Sequence, residues 1–460
     1  MSIDDSAARE EVRMNRLKRL SILVVLFLAA FIPTVFAGEQ PLAIFHAFND
    51  PFTLVESYVC ELAGQGYSHV QISPAQKSNP ARAWYARYQP VDFAVIEGMG
   101  TESDLKKLTD KAHECGMKVL ADVVFNHMSS MDEYKGLDKF PGLAPADFHG
   151  QCGIDYSKRD SVRNCWLGGD LPDLDQSRPR VQDVQKAHIR KLLSLGIDGF
   201  RFDAAKHIDP AVVKDYIDLI DRESNRRTWN YLEVIEDDGT QATDYNWIAA
   251  VTDFVLYKES LRKAFGLGGD LRSLKVPVAV NDSRSIVFGR NHDTVRENNQ
   301  NCIVGCYDSR EDSYLATAYV LARESGVPLV LNWDNYDAPY ISTGVKFRQI
   351  MTQRGRSAMN VKENVLGVID SPVVMMMERG SEGFFVLNKS ADRFDIPVLD
   401  LTLTNLEGCY RELRRKFTVA IERKDGKKFV TRWGRWDRGG LEIYGRDALY
   451  FIREPWEHCR

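Results

Sequence analysis

The chain has 460 residues, enough for two or three ordinary domains, and 44% apolar with 27% charged residues is the balance of a folded globular protein. The formal net charge is −5 and no basic stripe runs along the chain, which excludes the clustered positive field that a nucleic-acid partner requires.

At the start, Arg13, Arg16, Lys18 and Arg19 precede an apolar run from Leu20 to Phe36, and Val35-Phe36-Ala37 ends it on a small residue. Basic start, apolar middle and small-residue end are the layout of a secretory signal, read here as residues 1–37 with cleavage after Ala37. An uncleaved anchor is the other reading. The run is short for a membrane span and Pro33 interrupts it. Translation starting at Met14 would remove the polar stretch that is unusual before a signal. Eight cysteines (Cys60, Cys115, Cys152, Cys165, Cys302, Cys306, Cys409 and Cys459) fit export and disulfide formation. Four bridges among eight cysteines allow 105 connectivities, and sequence order does not choose among them. No Cys-x-x-Cys pair is present, so a zinc site is not expected.

From residue 41 onward, short β-branched or aromatic runs alternate with amphipathic helical stretches. Eight strands are predicted: Leu42–Phe48, His69–Pro74, Lys118–His127, Gly199–Ala205, Asn230–Glu236, Asp253–Tyr257, Ser285–Asp293 and Val327–Trp333. Helices are predicted between them at Glu102–Cys115, Pro179–Leu195 and Glu311–Glu324, from apolar residues near the helical period. Strand and helix alternating over this length predict an α/β fold of the (β/α)8 barrel type, residues 38–127 and 171–364. The Gly-, Pro-, Asp- and Ser-rich stretch 128–170 reads as a small domain inserted after the third strand. Residues 365–460 change to period-two alternation, as at Val373–Met377, Gly383–Leu387, Phe429–Trp433 and Leu449–Ile452, and predict a C-terminal all-β sandwich.

In such barrels the chemistry sits at the C-terminal ends of the strands. There the third strand delivers Asp122-Val-Val-Phe-Asn-His127, the fourth Gly199-Phe-Arg-Phe-Asp203 followed by Lys206-His207, the fifth Leu232-Glu233, and the seventh Asn291-His-Asp293. Unpaired buried charge costs several kcal/mol, so four strands ending in ionisable groups imply a site. Three carboxylates in one pocket point to glycoside hydrolysis with retention of configuration. Asp203 is the expected nucleophile, kept ionised by Arg201 two residues away on the same strand face. Glu233 is the expected acid and base, and Asp293 the group that stabilises the oxocarbenium-like charge. His127 and His292 would contact sugar hydroxyls. Any one of these residues alone could be a helix cap or half of an ion pair; their occurrence in barrel order is what carries the reading.

With these residues in place, the chain resembles the α-amylase family of retaining glycoside hydrolases, and within it the animal-type α-amylases. The four strand ends look like that family's strand signatures in order, Leu171-Pro-Asp-Leu-Asp175 like the motif of its inserted domain, and Gly66–Pro74 with Trp84–Pro90 like its second-strand region. The resemblance covers about residues 41 to 340. It implies endo-acting cleavage of internal α-1,4 bonds in starch- or glycogen-type glucans through a covalent glycosyl-enzyme. It further implies that Trp84, Tyr85 and Tyr88 stack on glucose rings and that Gln89 contacts sugar. Lys206 and His207 would line the sites beyond the cleaved bond. It implies a calcium ion held by side-chain oxygens of Asn126 and Asp173 and backbone carbonyls of Arg163 and His207. It implies the bridges Cys60–Cys115 and Cys152–Cys165; elimination and proximity then pair Cys302 with Cys306 and Cys409 with Cys459. Animal-type members also bind chloride. Arg201 and Asn291 match two of the ligands, but Gly326-Val-Pro-Leu-Val-Leu-Asn332 lacks the basic third, so chloride is not expected to be obligatory.

Two other readings use the same residues. One is a maltooligosaccharide-forming, debranching or transglycosylating member of the family. The other is a non-catalytic, membrane-anchored barrel subunit, which would have no need to retain Asp203, Glu233 and Asp293. The main reading is a secreted (extracellular or periplasmic) monomer with an α-glucan polysaccharide or oligosaccharide as its partner and no stable membrane association after cleavage.

Overall fold

Eight short parallel strands carry the site. They are β1 (Ile44–Ala47), β2 (His69–Ile72), β3 (Lys118–Val123), β4 (Gly199–Phe202), β5 (Tyr231–Leu232), β6 (Ala250–Val251), β7 (Ile286–Val287) and β8 (Val327–Leu331). The computed structural model describes residues 40–460 except 133, 225–227, 281, 296–303, 358–362, 367–370, 397–403, 433–434 and 460. The signal reading of residues 1–37 and Cys302 with its expected bridge to Cys306 lie outside the described residues.

The sheet runs β6-β5-β4-β3-β2-β1-β8-β7. A parallel bridge from Thr252 to Ile286, with Asp253 N–H donating to the Ile286 carbonyl at 2.8 Å, joins the two ends into a barrel. The outer layer comprises α1 (Phe52–Gln65), α2 (Glu102–Glu114), α3 (Arg159–Asn164), α4 (Pro179–Ser194), α5 (Pro210–Glu223), α6 (Arg262–Phe265), α7 (Arg310–Ala322), α8 (Asn332–Asp337) and α9 (Pro339–Ser357), apart from α3, which lies in the stretch after β3. Local chemistry sets their starts. Thr101 caps α2 through the Asp104 amide in a reciprocal capping box, and the Asp209 carboxylate accepts from Ala211 N–H at 2.8 Å to open α5. Gly199 opens β4 because a Cβ there would stand 2.1 Å from the Trp229 carbonyl oxygen.

One predicted strand is corrected. Asp253–Tyr257 lies just beyond β6, and the chain turns helical from Phe254, with a π-helical stretch over Leu256–Leu261. The reason is the Asp253 side chain, which accepts from Leu256 N–H at 2.7 Å and so starts a helix where the apolar run alone suggested a strand. Trp333 likewise falls in α8 and not at the end of β8.

Residues 128–170 carry two single-turn 3-10 helices and α3, and return to the barrel through bridges between His127 and Asp173 and between Phe148 and Leu174. The C-terminal part is antiparallel: β9 (Glu363–Leu366), β10 (Val374–Arg379), β11 (Gly383–Asn388), β12 (Phe394–Ile396), β13 (Gly408–Glu412), β14 (Thr418–Lys424), β15 (Lys427–Arg432), β16 (Arg435–Gly439), β17 (Leu441–Ile443) and β18 (Asp447–Glu454). Its main sheet runs β9-β10-β11-β18-β13-β14-β15-β16, and β12 pairs with β17 in a second sheet. Period-two alternation serves both faces. Met376, Phe384, Val386 and Phe451 fill the interior between the sheets, while Met375, Met377, Phe385 and Tyr450 join the barrel's core. Disulfides join Cys60 to Cys115, Cys152 to Cys165 and Cys409 to Cys459, as the resemblance and elimination had it. No helix among the described residues is long and apolar enough to cross a membrane.

Candidate active site

The residues predicted from four separate strands converge at the C-terminal mouth of the barrel. Arg201, on β4 and 3% exposed, is the hub. Its Nη1 donates to Asp203 Oδ1 at 2.7 Å and to both Asp122 oxygens at 2.8 Å; its Nη2 donates to Glu233 Oε1 at 2.5 Å. The second Glu233 oxygen accepts from the Ala204 amide at 2.9 Å. That amide is aimed by a left-handed turn: Ala204 has φ +46°, a conformation costly for a residue with a side chain and concentrated at functional sites. Backbone bonds from Asp203 N to Val123 O and from Glu233 N to Phe202 O, both 2.9 Å, extend the sheet register to the two carboxylates.

Asp293 stands on the turn after β7. Asn291 Oδ1 accepts from the amides of Asp293 and Thr294 at 3.1 Å each, so the asparagine orders the turn that presents the carboxylate. Glu233 lies close enough to Asp293 for its carboxylate to raise the Asp293 carboxyl above the usual range.

Electrostatics follow from four carboxyls sharing one cation. Burial raises Asp203 well above the usual carboxylate range, Arg201 opposes this, and Glu233 and Asp122 add to the rise. Arg201 was expected to dominate at Asp203; burial outweighs it, because one guanidinium is divided among three partners. Asp293 is likewise raised by burial and by Glu233. Burial pushes Asp122 up to about 6 against the pull of Arg201.

Around the carboxylates lies an aromatic wall. His292 stacks on Tyr88, with ring centroids 5.2 Å apart, and on Phe48 at 4.8 Å; Trp84 meets Tyr85, Tyr88 and His292 edge-on at 6.0, 6.1 and 5.8 Å. Tyr85 is open to solvent, Trp84 half-buried and Tyr88 buried, its hydroxyl donating to Asp122 at 3.0 Å. Gln89 and His127 serve the wall from behind. Gln89 Oε1 accepts from Asn79 and Ser129, and His127 Nε2 donates to the Tyr88 carbonyl at 3.0 Å. Lys206 donates to Asp237 at 2.7 Å and to the Ile235 carbonyl, and its ammonium lies 4.8 Å from the Tyr156 ring centroid.

The four residues expected around calcium lie where the 128–170 stretch meets the barrel. Leu174 N–H donates to the Asn126 carbonyl at 2.9 Å, and His207 Nδ1 donates to the Val162 carbonyl at 2.6 Å, beside Arg163. The Arg163 side chain itself is paired with Asp209 at 2.9 Å.

Sequence reasoning did not assign roles to Asp122, Asp237, His149, His46 or Phe48. Asp122 and His46 were detectable as polar residues inside apolar strands. His149, which donates to Asp173 Oδ2 at 2.6 Å, carries no local signal.

A family model described as the alpha amylase catalytic domain matches residues 58–161. An alpha-amylase of Phaedon cochleariae is 32% identical over 306 residues, 60% of this chain and 62% of that protein. An alpha-amylase of Aeromonas hydrophila is 29% identical over 405 residues, 75% of this chain and 84% of that one. The chain spans less than two thirds of the length of the first curated relatives it matches. A maltohexaose complex of a mutant alpha-amylase I from Eisenia fetida superposes with a TM-score of 0.72 at 22% identity, over 89% of this chain and 99% of that one, and shares its fold. The matching family model and the curated relatives thus make this chain similar in sequence to alpha-amylases, and the superposition shows that it shares their fold.

Proposed function

We propose that this chain is a retaining α-amylase, hydrolysing internal α-1,4 bonds of starch- or glycogen-type glucans. The observation that carries the reading is the placement of Asp203 and Glu233 on the two terminal nitrogens of one buried guanidinium, with Asp293 on the turn after β7 at the same mouth of the barrel. Asp203 attacks the anomeric carbon while Glu233 gives its proton to the departing glycosidic oxygen. Glu233 then takes a proton from water, and that water's oxygen displaces Asp203 from the same carbon. Two inversions give net retention. Asp293 contacts sugar hydroxyls and stabilises the positive charge between the steps. Trp84 and Tyr85 form the open part of a stacking platform, with Tyr88 and His292 packed behind and Gln89 and His127 holding them. Lys206 and His207 line the far side of the cleaved bond.

The residues expected to hold calcium fit such an ion. Asn126 Oδ1 and Asp173 Oδ1 are buried oxygens with no hydrogen-bond partner, while Asn126 Nδ2 and Asp173 Oδ2 are held by His127 and His149. Two hard oxygens without partners, on segments joined by backbone bonds, suit Ca2+, and the Arg163 and His207 carbonyls would complete the set. No group of three His, Cys, Asp or Glu residues able to hold a metal occurs among the described residues, and a set of one carboxylate, one amide and carbonyls would not form one. When bound, the ion would clamp residues 128–170, read as an inserted domain, to the barrel of residues 38–127 and 171–364. Chloride is not fitted: β8 is apolar throughout, and Arg201 is already engaged by three carboxylates. No step is assigned to it. We further read the chain as exported, a reading supported by three disulfides among the described residues, and as a monomer.

Proton NMR of soluble-starch hydrolysis tests the proposal. The wild type should release α-anomeric reducing ends, and Glu233→Gln should lose at least about a thousandfold in kcat, since loss of a group central to such a mechanism costs on that order. Release of β-anomers would rule out double displacement. Absence of activity on starch would remove the substrate assignment.

A further inference from the structure

A second groove opens on the same rim of the barrel, on the side of β1 and β8 and away from the carboxylates. It encloses about 570 Å³ and is lined by Leu54, Tyr58, Trp333, Tyr336, Asp337 and Arg310. That volume is within the range of roughly 300–1,000 Å³ for small-ligand clefts. Helix α8 builds one wall by dividing its residues sharply. Asn332, Asp334 and Asn335 point inward and are pinned. Asn332 donates to the Phe48 carbonyl and to Asp50, both at 3.0 Å, Arg290 donates to Asp334 at 2.7 Å, and Tyr67 donates to Asn335 at 2.8 Å. Trp333, Tyr336 and Asp337 are left outward, with Trp333 37% and Tyr336 54% exposed. Residues three apart on a helix share a face, so two large exposed side chains stand on one face of a short helix whose inward residues are pinned. Burial would stabilise such rings; a rigid exposed pair in a groove marks a binding surface.

The groove and the aromatic wall of the catalytic cleft share one neighbour, Phe48. Phe48, buried between them, lies 5.6 Å from Trp84 on one side and 5.9 Å from Trp333 on the other. The rings Tyr85, Trp84, Phe48 and Trp333 are therefore successive neighbours, with Tyr85 and Trp333 exposed at the two ends and Phe48 buried between. Exposed aromatic rings beside the charged side chains of Asp337 and Arg310 match a sugar, which offers apolar ring faces edged by hydroxyls. Asp50 stiffens the floor, accepting from the Tyr58 hydroxyl at 2.7 Å and from Asn332.

Resting on the α-amylase reading above, we infer that this groove binds distant glucose units of a long α-glucan that is being cut at Asp203 and Glu233, with Trp333 and Tyr336 as the stacking residues. The groove makes the enzyme select for chain length.

The test compares kcat/KM on maltoheptaose and on an aryl maltotrioside for the wild type, Trp333→Ala and Trp333→Phe. Trp333→Ala should lose about tenfold on maltoheptaose and stay within about twofold on the short substrate, and Trp333→Phe should recover most of the loss. An unchanged rate on maltoheptaose, or an equal loss on both substrates, would overturn the inference. A wild type that cleaves neither substrate would instead defeat the hydrolase reading. Calorimetry with maltoheptaose then judges the groove alone: affinity about tenfold weaker in Trp333→Ala supports it, and equal affinity overturns it.

Discussion

Arg201 is the cation on which Asp122, Asp203 and Glu233 all depend, and its removal gives a signed prediction. Burial raises Asp203, and the guanidinium 2.7 Å away lowers it. In Arg201→Gln only the raising influences remain, so Asp203 loses its proton at higher pH. The acid limb of kcat/KM should move up by about 1–3 units, the range for an opposite charge at contact distance. The limb reports the coupled cluster and not Asp203 alone. A limb that stays in place would show that Arg201 does not set the protonation of the cluster. At this scale the sequence was informative wherever a residue stood at a strand end, as Asp203, Glu233 and Asp293 do. It was uninformative where the partner came from a distant segment. Asp122 reads as a stray charge inside an apolar strand until Tyr88 and Arg201 are seen around it. Asn291 reads as a ligand until its oxygen is found ordering the turn of Asp293.

The helices α2 and α4 were legible almost to the residue because a long amphipathic period and a cap at Thr101 or a proline at Pro179 agree with each other. The barrel strands were overextended. β5, β6 and β7 are each two residues long, and the rest of each apolar run is loop or helix held by side chains such as that of Asp253. Such short strands leave the outer helices and their cross-links to hold the barrel. The Cys60–Cys115 bridge ties α1 to the end of α2 across 55 residues of sequence, and Cys152–Cys165 closes 13 residues around α3. By loop-closure entropy the first stabilises by about 4 kcal/mol and the second by about 3 kcal/mol. Cys60→Ser with Cys115→Ser should therefore lower the urea midpoint more than Cys152→Ser with Cys165→Ser. The reverse order would mean that the bridges act through native contacts and not through the unfolded chain.

In the whole molecule, two peripheral parts must hold to the barrel for the site to persist. The C-terminal sheets are fastened by direct polar contacts: Lys389 Nζ donates to the Ala264 carbonyl at 2.7 Å and also to that of Gly269, Arg446 pairs with Asp312, and the Tyr450 hydroxyl donates to the Ala318 carbonyl at 3.2 Å. These contacts satisfy themselves and need no ligand. The stretch from 128 to 170 differs, because its junction with the barrel leaves the Asn126 and Asp173 oxygens open, and open buried acceptors carry a desolvation cost that only a cation or another donor offsets. The two parts should consequently respond differently to chelation. A calcium ion at about a hundred times its Kd stabilises the folded state by about 2.7 kcal/mol, so EDTA should lower the melting midpoint by a few degrees. Asn126→Ala and Asp173→Ala should each melt at the chelated value with or without calcium, whereas Lys389→Met should lower the midpoint and keep the full calcium response. Calorimetric scans of the three variants with added calcium and with EDTA decide it. A calcium response preserved in Asp173→Ala would move the ion to other ligands. A response lost in Lys389→Met would show that the two junctions melt as one unit.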